Sequence, residues 1–179
     1  MDHFENIVGT LLEAEGHWVR RSYKVNLTTE EKRRIGKPSI PRPEIDLLAF
    51  KVDRNEITAW EAKSFLDSPG VDPHDLTEEH PEPQGRYKLF TCEPYRTIVL
   101  ERLRQQLVAE GMATAQTTAR LGLAAGNVRA GQREALRQFM QERDWLFWSP
   151  EDIKQKVTNL ARRGYENDAA IITAKILMR

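Results

Sequence analysis

The spacing of apolar residues changes several times along the chain, and each change marks an element. Between residues 2 and 15, Phe4, Ile7, Val8, Leu11, Leu12 and Ala14 fall in one arc at 100° steps. That spacing predicts an amphipathic helix, with Gly16 as its stop. Glu13 points away from the arc and Glu15 sits at the helix end. Glu5 lies at the arc's edge beside Val8 and Leu12, where its side chain can reach the flank of whatever the helix packs on. His17 to Leu27 then alternates, with Trp18 and Arg20 on one face and Val19, Arg21, Tyr23 and Val25 on the other, as a half-buried strand does. Residues 28–43 read as a charged loop ending in Pro38, Pro41 and Pro43. From Glu44 to Ser64 the pattern is that of two strands joined by the polar turn VDRNE. Counting by two puts Glu44, Asp46 and Leu48 on one face of the first strand. It puts Glu61 and Lys63 on one face of the second, opposite Trp60 and Ala62.

The segment after Lys63 is rich in Pro, Asp and Glu and follows neither period. It reads as a long loop with one short helical turn, and such loops are usually functional or disordered. Glu93 to Gly111 predicts a helix with Pro94 in its first turn and Val99, Leu100, Leu103 and Leu107 as the inner stripe. Tyr95, Arg102 and Gln106 flank that stripe, either as ordinary edge residues or leaning toward a site. A short buried strand follows over Thr117–Ala125, then a helix over Gly131–Asp144 with Leu136, Phe139 and Met140 inward, then an apolar strand over Trp145–Trp148. Ser149 and Pro150 cap and open a helix running to Gly164. Asn167–Met178 suits helix or strand, and a cap at Asn167 or Asp168 favours helix. This order predicts an α/β sandwich, a mixed central sheet flanked by helices. It forms one domain over residues 1–179, with residues 149–179 as a C-terminal helical extension.

Composition narrows the function classes. A chain of 179 residues buries a substantial core, and its 40% apolar and 30% charged residues are ordinary for a globular protein. The formal net charge of zero argues against a large nucleic-acid footprint and leaves a local one open. Cys92 is the single cysteine, so no internal disulfide forms and a reducing, cytoplasmic setting is expected. The sequence lacks an apolar run of membrane-spanning length, and its acidic N-terminus does not resemble a signal peptide. His74, His80 and Cys92 match no zinc spacing.

The chemistry concentrates in the hairpin. If its strands converge at one end, Asp46, Glu61 and Lys63 meet there. Two carboxylates and an amine are costly to bury unless something pairs with them, and a divalent cation is the obvious partner. Lys32, Arg33, Arg34, Lys37 and Arg42 make the preceding loop the most basic segment. It is a candidate phosphate contact as well as an ordinary solvated loop.

A carboxylate on the second strand and Glu-x-Lys on the third resemble the PD-(D/E)xK nuclease superfamily. The resemblance rests on Pro43, Asp46, Glu61, Ala62 and Lys63. It also rests on Glu5 in FENIVGTLLEAEGHWV, which is similar to the first helix and strand of Holliday junction resolvase-type members. It spans about residues 1–148. One departure is visible: the superfamily's proline usually directly precedes its aspartate, whereas here the run is Pro43-Glu44-Ile45-Asp46. Whether Glu44 substitutes or adds a ligand is open, and the apolar run LLAF after Asp46 favours Asp46.

The resemblance implies a restriction-endonuclease-like three-layer sandwich and a nuclease that hydrolyses DNA phosphodiester bonds with Mg²⁺ or Mn²⁺. It implies Asp46, Glu61 and the Ala62 carbonyl as metal ligands. Glu5 would act through water or a second ion, and Lys63 would hold and polarise the attacking water. DNA is the implied partner, together with a second copy of the chain or a partner subunit of a repair or defence system. Two other classes remain: a binding or assembly module that keeps the fold without cleaving, and a metal-dependent enzyme acting on RNA or a nucleotide.

Overall fold

The computed structural model describes residues 2–164 and 167–179. The elements run α1 (His3–Ala14), β1 (Trp18–Lys24), α2 (Thr29–Arg34), β2 (Glu44–Lys51), a 3₁₀ turn (Val52–Arg54), β3 (Glu56–Lys63), α3 (His74–Thr77), α4 (Lys88–Thr91), α5 (Glu93–Ala109), β4 (Thr118–Ala125), α6 (Arg133–Glu142), β5 (Leu146–Trp148), α7 (Pro150–Ala161) and α8 (Ala169–Leu177). The strands form one five-stranded sheet in chain order. β1, β2 and β3 pair antiparallel, while β3, β4 and β5 pair parallel. The chain is thus α/β with a mixed, open sheet.

Helices cover both faces of the sheet. On one face, Leu48, Ile57, Ala59, Leu121 and Leu123 pack against Val99, Leu103 and Leu107 of α5 and Leu136 and Met140 of α6. On the other, Leu47, Ala49, Trp60, Ala62 and Ala124 pack against Val8, Leu11 and Leu12 of α1, with Ile153 and Leu160 of α7 and Ile171 of α8. The segment expected as an appended helical piece therefore shares a core with α1 and the sheet.

Local signals explain the helix starts. Asp2 caps α1 and forms a reciprocal pair with Glu5, each side chain bonding the other's backbone amide. Ser149 does the same with Asp152 at the start of α7, and Pro150 occupies the first helical turn. Asp168 caps α8, settling that segment as a helix.

Three expectations need correction. Residues 28–43 are not a loop throughout: Thr28 and Glu31 form a capping box that starts α2, and Arg102 of α5 grips the Glu31 carboxylate with two nitrogens at 2.8–3.0 Å. The segment after Lys63 holds two short helical turns, α3 and α4, and is tied to the body by bonds such as Val71 N–H to Asn127 C=O at 3.0 Å. Simple alternation also fails in β1 and β2. Val19 packs on the α1 side, whereas Tyr23 and Val25 pack on the α5 side, and Ser22 between them has φ +52°. In β2, Ile45 joins the α5 side while Leu47 and Ala49 join the α1 side. Both strands change faces at Ser22 and Asp46, so Glu44, Asp46 and Leu48 do not share a face as counting by two predicts.

Candidate active site

β2 and β3 are paired from Lys51 opposite Glu56 to Leu47 opposite Trp60, and there the ladder stops. β3 stays in the sheet beyond this point, paired with β4 as far as Lys63 opposite Ala125. β2 stays with β1, through Ile45 opposite Tyr23 and Glu44 opposite Lys24. The sheet therefore splits between Glu44–Asp46 and Glu61–Lys63. The Asp46 carboxylate reaches across the split and accepts the Ala62 N–H at 3.0 Å. Along a strand, the N–H and C=O of one residue point to the same side. The Ala62 carbonyl thus also faces the split, while the Lys63 carbonyl faces β4 and accepts Gly126 N–H at 2.8 Å.

Glu61 and Lys63 lie on the α5 side of β3, as period two requires. The Lys63 ammonium donates to Glu61 Oε1 and stands 3.8 Å from Asp46 Oδ2. All three side chains are at least three-quarters buried, with exposures of 20% for Asp46, 15% for Glu61 and 21% for Lys63. Burial pushes the Asp46 carboxyl above its ordinary pKa, although the Ala62 N–H and the Lys63 charge oppose the shift. Burial and then the Asp46 charge push Glu61 up as well. For Lys63, burial acts to lower the pKa, but Glu61 and Asp46 outweigh it and hold the ammonium above its ordinary range. Glu5, at the start of α1, is raised by burial and by Asp46, and its charge is also felt by Lys63. Its carboxylate accepts the Asp2 N–H at 3.2 Å. Two carboxylates thus flank one ammonium, and the charge of a third, Glu5, is felt there.

That observation bears on a metal. Among the described residues, no three Asp, Glu, His or Cys side chains already converge as a metal cage. The Lys63 ammonium sits where Asp46 and Glu61 converge, and the next oxygen donor facing the split is the Ala62 backbone carbonyl. Two carboxylates and a carbonyl form an all-oxygen set, which suits a hard cation such as Mg²⁺.

The remaining candidates are placed less directly. Glu44 is exposed and lies 3.8 Å from Lys24, although its charge is felt at Asp46. Lys32, Arg33 and Arg34 sit on α2, which is fastened to α5. Among the described residues, no hydrogen bond or ion pair joins them to Asp46, Glu61 or Lys63. Arg42 is exposed and bonds Asn26 at 3.4 Å. Lys37 donates to the Pro83 carbonyl, which carries it toward the segment after Lys63.

That segment supplies what periodicity did not signal. Tyr87 and Tyr95 are 5% and 1% exposed; burial pushes both phenols up, helped at Tyr87 by the charges of Asp75 and then Glu61 and at Tyr95 by that of Glu61. Among the described residues the buried Tyr87 hydroxyl has no hydrogen-bond partner. Lys88 is close enough to Glu61 to oppose the upward shift of its carboxyl. Of the flanking residues on α5, Tyr95 is the one whose phenol feels the Glu61 charge. Arg102 binds Glu31, and Gln106 binds the Asn26 N–H at 2.8 Å and the Tyr23 hydroxyl at 3.1 Å.

No protein-family model, curated protein or solved structure matches this chain. Among the described residues, no helix is long and apolar enough to cross a membrane.

Proposed function

We propose that the chain is a Mg²⁺- or Mn²⁺-dependent nuclease with a restriction-endonuclease-like fold, hydrolysing DNA phosphodiester bonds at the β2–β3 split. One observation carries this reading: a buried ammonium stands between the Asp46 and Glu61 carboxylates, where β2 leaves β3 and the Ala62 carbonyl is turned toward the same opening. A lysine in that position is poised to trade places with a cation and turn to the reacting phosphate.

Hydrolysis adds water to phosphorus, breaks one P–O bond and returns a proton to the departing oxygen. A cation held by Asp46, Glu61 and the Ala62 carbonyl supplies charge neutralisation at phosphorus when bound. Lys63, released from Glu61, donates hydrogen bonds to the attacking water and to the phosphoryl oxygen on which charge builds. Glu61 and Asp46 hold its ammonium protonated before a cation binds, so it is placed to position water rather than to act as the base. Glu5, whose carboxyl feels the Asp46 charge, would accept a proton or a hydrogen bond from water.

Purified protein incubated with supercoiled plasmid and Mg²⁺ tests the proposal. Nicking or linearisation that disappears with Asp46→Ala, in a variant that keeps the wild-type circular dichroism spectrum, supports it. The closed Lys63–Glu61 contact also suits a second reading, a module that holds nucleic acid without cleaving it. Calorimetric titration with Mg²⁺ separates the two, since such a module binds no metal.

A further inference from the structure

Residues 37–41 and 83–88 come together as the two walls of a groove lined by Lys37, Ser39, Gln84, Gly85 and Lys88. The walls are stiff. Pro41 and Pro83 lie in them, Ile40 N–H bonds Lys37 C=O at 3.0 Å, and Lys37 bridges to the Pro83 carbonyl. The groove holds about 350 Å³, enough for part of a polymer chain passing through it. Its lining contains two lysines and no carboxylate. Glu82, which precedes Pro83 in the chain, lies with its side chain against Gly36.

The two lysines have donors to spare. One of Lys37's three N–H groups goes to Pro83, leaving two. Among the described residues Lys88 has no ion-pair partner, and its ammonium lies 5.8 Å from the centre of the Tyr95 ring. The Lys88 charge also acts on Glu61, so the Lys88 end of the groove is the one nearer the carboxylate pair.

We propose that this groove is the track for the phosphodiester backbone beside the scissile position, with Lys88 on the phosphate nearer Glu61 and Lys37 on one farther along. The assignment of a scissile position rests on the nuclease reading above; the track itself does not. It gives a neutral chain a local nucleic-acid footprint. It also adds Lys88 to the substrate contacts and singles out Lys37 among the basic residues of the 28–43 segment.

The test is binding of a short labelled DNA duplex by fluorescence anisotropy in EDTA, where no cleavage occurs, over a series of salt concentrations. Parallel arms use single-stranded DNA and RNA. Each phosphate contact contributes about 0.9 to the slope of log K against log salt on duplex DNA. Lys37→Gln and Lys88→Gln should each lower the slope by about one, and the double variant by about two. Lys88→Arg should keep the wild-type slope, and Lys154→Gln on the exposed side of α7 should leave it unchanged. A double variant that binds every arm with wild-type affinity and slope overturns the track. Plasmid cleavage by the wild-type protein is scored separately with Mg²⁺. Cleavage together with unaltered binding by the double variant removes the track and leaves the nuclease reading standing. A lysine-dependent slope without any wild-type cleavage sustains the track and removes the nuclease reading.

Discussion

The Ala62 amide donates to the Asp46 carboxylate at 3.0 Å, across the point where β2 parts from β3. A ladder bond that the backbone no longer makes is replaced by a side chain, the same side chain that holds the cation in the proposed function. Structure and chemistry thus compete for one carboxylate. Asp46→Asn keeps an oxygen for the Ala62 N–H, whereas Asp46→Ala leaves that N–H without an acceptor. The Asn variant should be at least as stable as wild type, because it relieves a buried charge. The Ala variant should be less stable than the Asn variant by about 1–3 kcal/mol. Urea unfolding measures the difference, and equal midpoints for the two variants would contradict it.

Lys63 neutralises two buried carboxylates at once. Removing one partner of a buried ion pair costs about 3–5 kcal/mol, and less where water reaches the pair, as it partly does here. Lys63→Ala should therefore lower the melting temperature in EDTA. The same variant no longer places an ammonium between Asp46 and Glu61, so Mg²⁺ should bind it more tightly than wild type and raise its melting temperature by more. A smaller Mg²⁺-induced shift in Lys63→Ala than in wild type would show that the lysine does not occupy the cation's place.

The pH dependence follows from the directions of the shifts. Asp46 and Glu61 have raised values, so the folded chain holds their protons more tightly than the unfolded chain does. Their contribution to stability is present below the ordinary values of 3.8 and 4.5 and is lost as pH rises through the folded values. Lys63 is raised as well, so its contribution is full below its ordinary 10.5 and is lost as pH climbs through its higher folded value. Cation binding requires both carboxylates ionised. Mg²⁺ affinity, measured calorimetrically, should begin to fall on acidification while the pH is still above the ordinary carboxylate values. Affinity that stays flat down to that range would rule the raised values out.

Ile171 of α8 is 1% exposed and packs in the same apolar cluster as Leu12 and Trp60. Ile171→Ala should cost about 2–5 kcal/mol by leaving a cavity. Ser149→Ala should cost about 1 kcal/mol through the lost cap of α7, and it also removes a partner of Arg137 at 3.1 Å. Both are read by chemical unfolding. A single cooperative transition shifted as a whole is expected. An early, separate loss of helix would mean that residues 149–179 fold on their own.

The legible parts of the fold were those with local causes. The apolar stripe of α1, Pro94 at the start of α5 and the Ser149–Pro150 start of α7 need only near neighbours. So does the shared face of Glu61 and Lys63, because β3 is regular to its end. The capping-box spacing of Thr28 and Glu31 carries the signal for α2, although the prolines after it suggest a loop. Other features depend on distant partners. The change of face at Ser22 and Asp46 exists because β2 follows β1 away from β3, which no period within either strand reveals. Tyr87 and Lys88 lie in a segment without period, and contacts to α5 and to residues 37–41 place them near Glu61.

The central claim is that Lys63 and the two carboxylates form a catalytic cluster. Its most direct test is cleavage of supercoiled plasmid by purified wild-type protein and by Lys63→Ala, each with Mg²⁺, with Mn²⁺ and with EDTA. Wild type should nick or linearise the plasmid with either metal and be silent in EDTA. Lys63→Ala should be silent under all three conditions while still binding Mg²⁺. Cleavage by Lys63→Ala at the wild-type rate, or wild-type cleavage that persists in EDTA, would contradict the account.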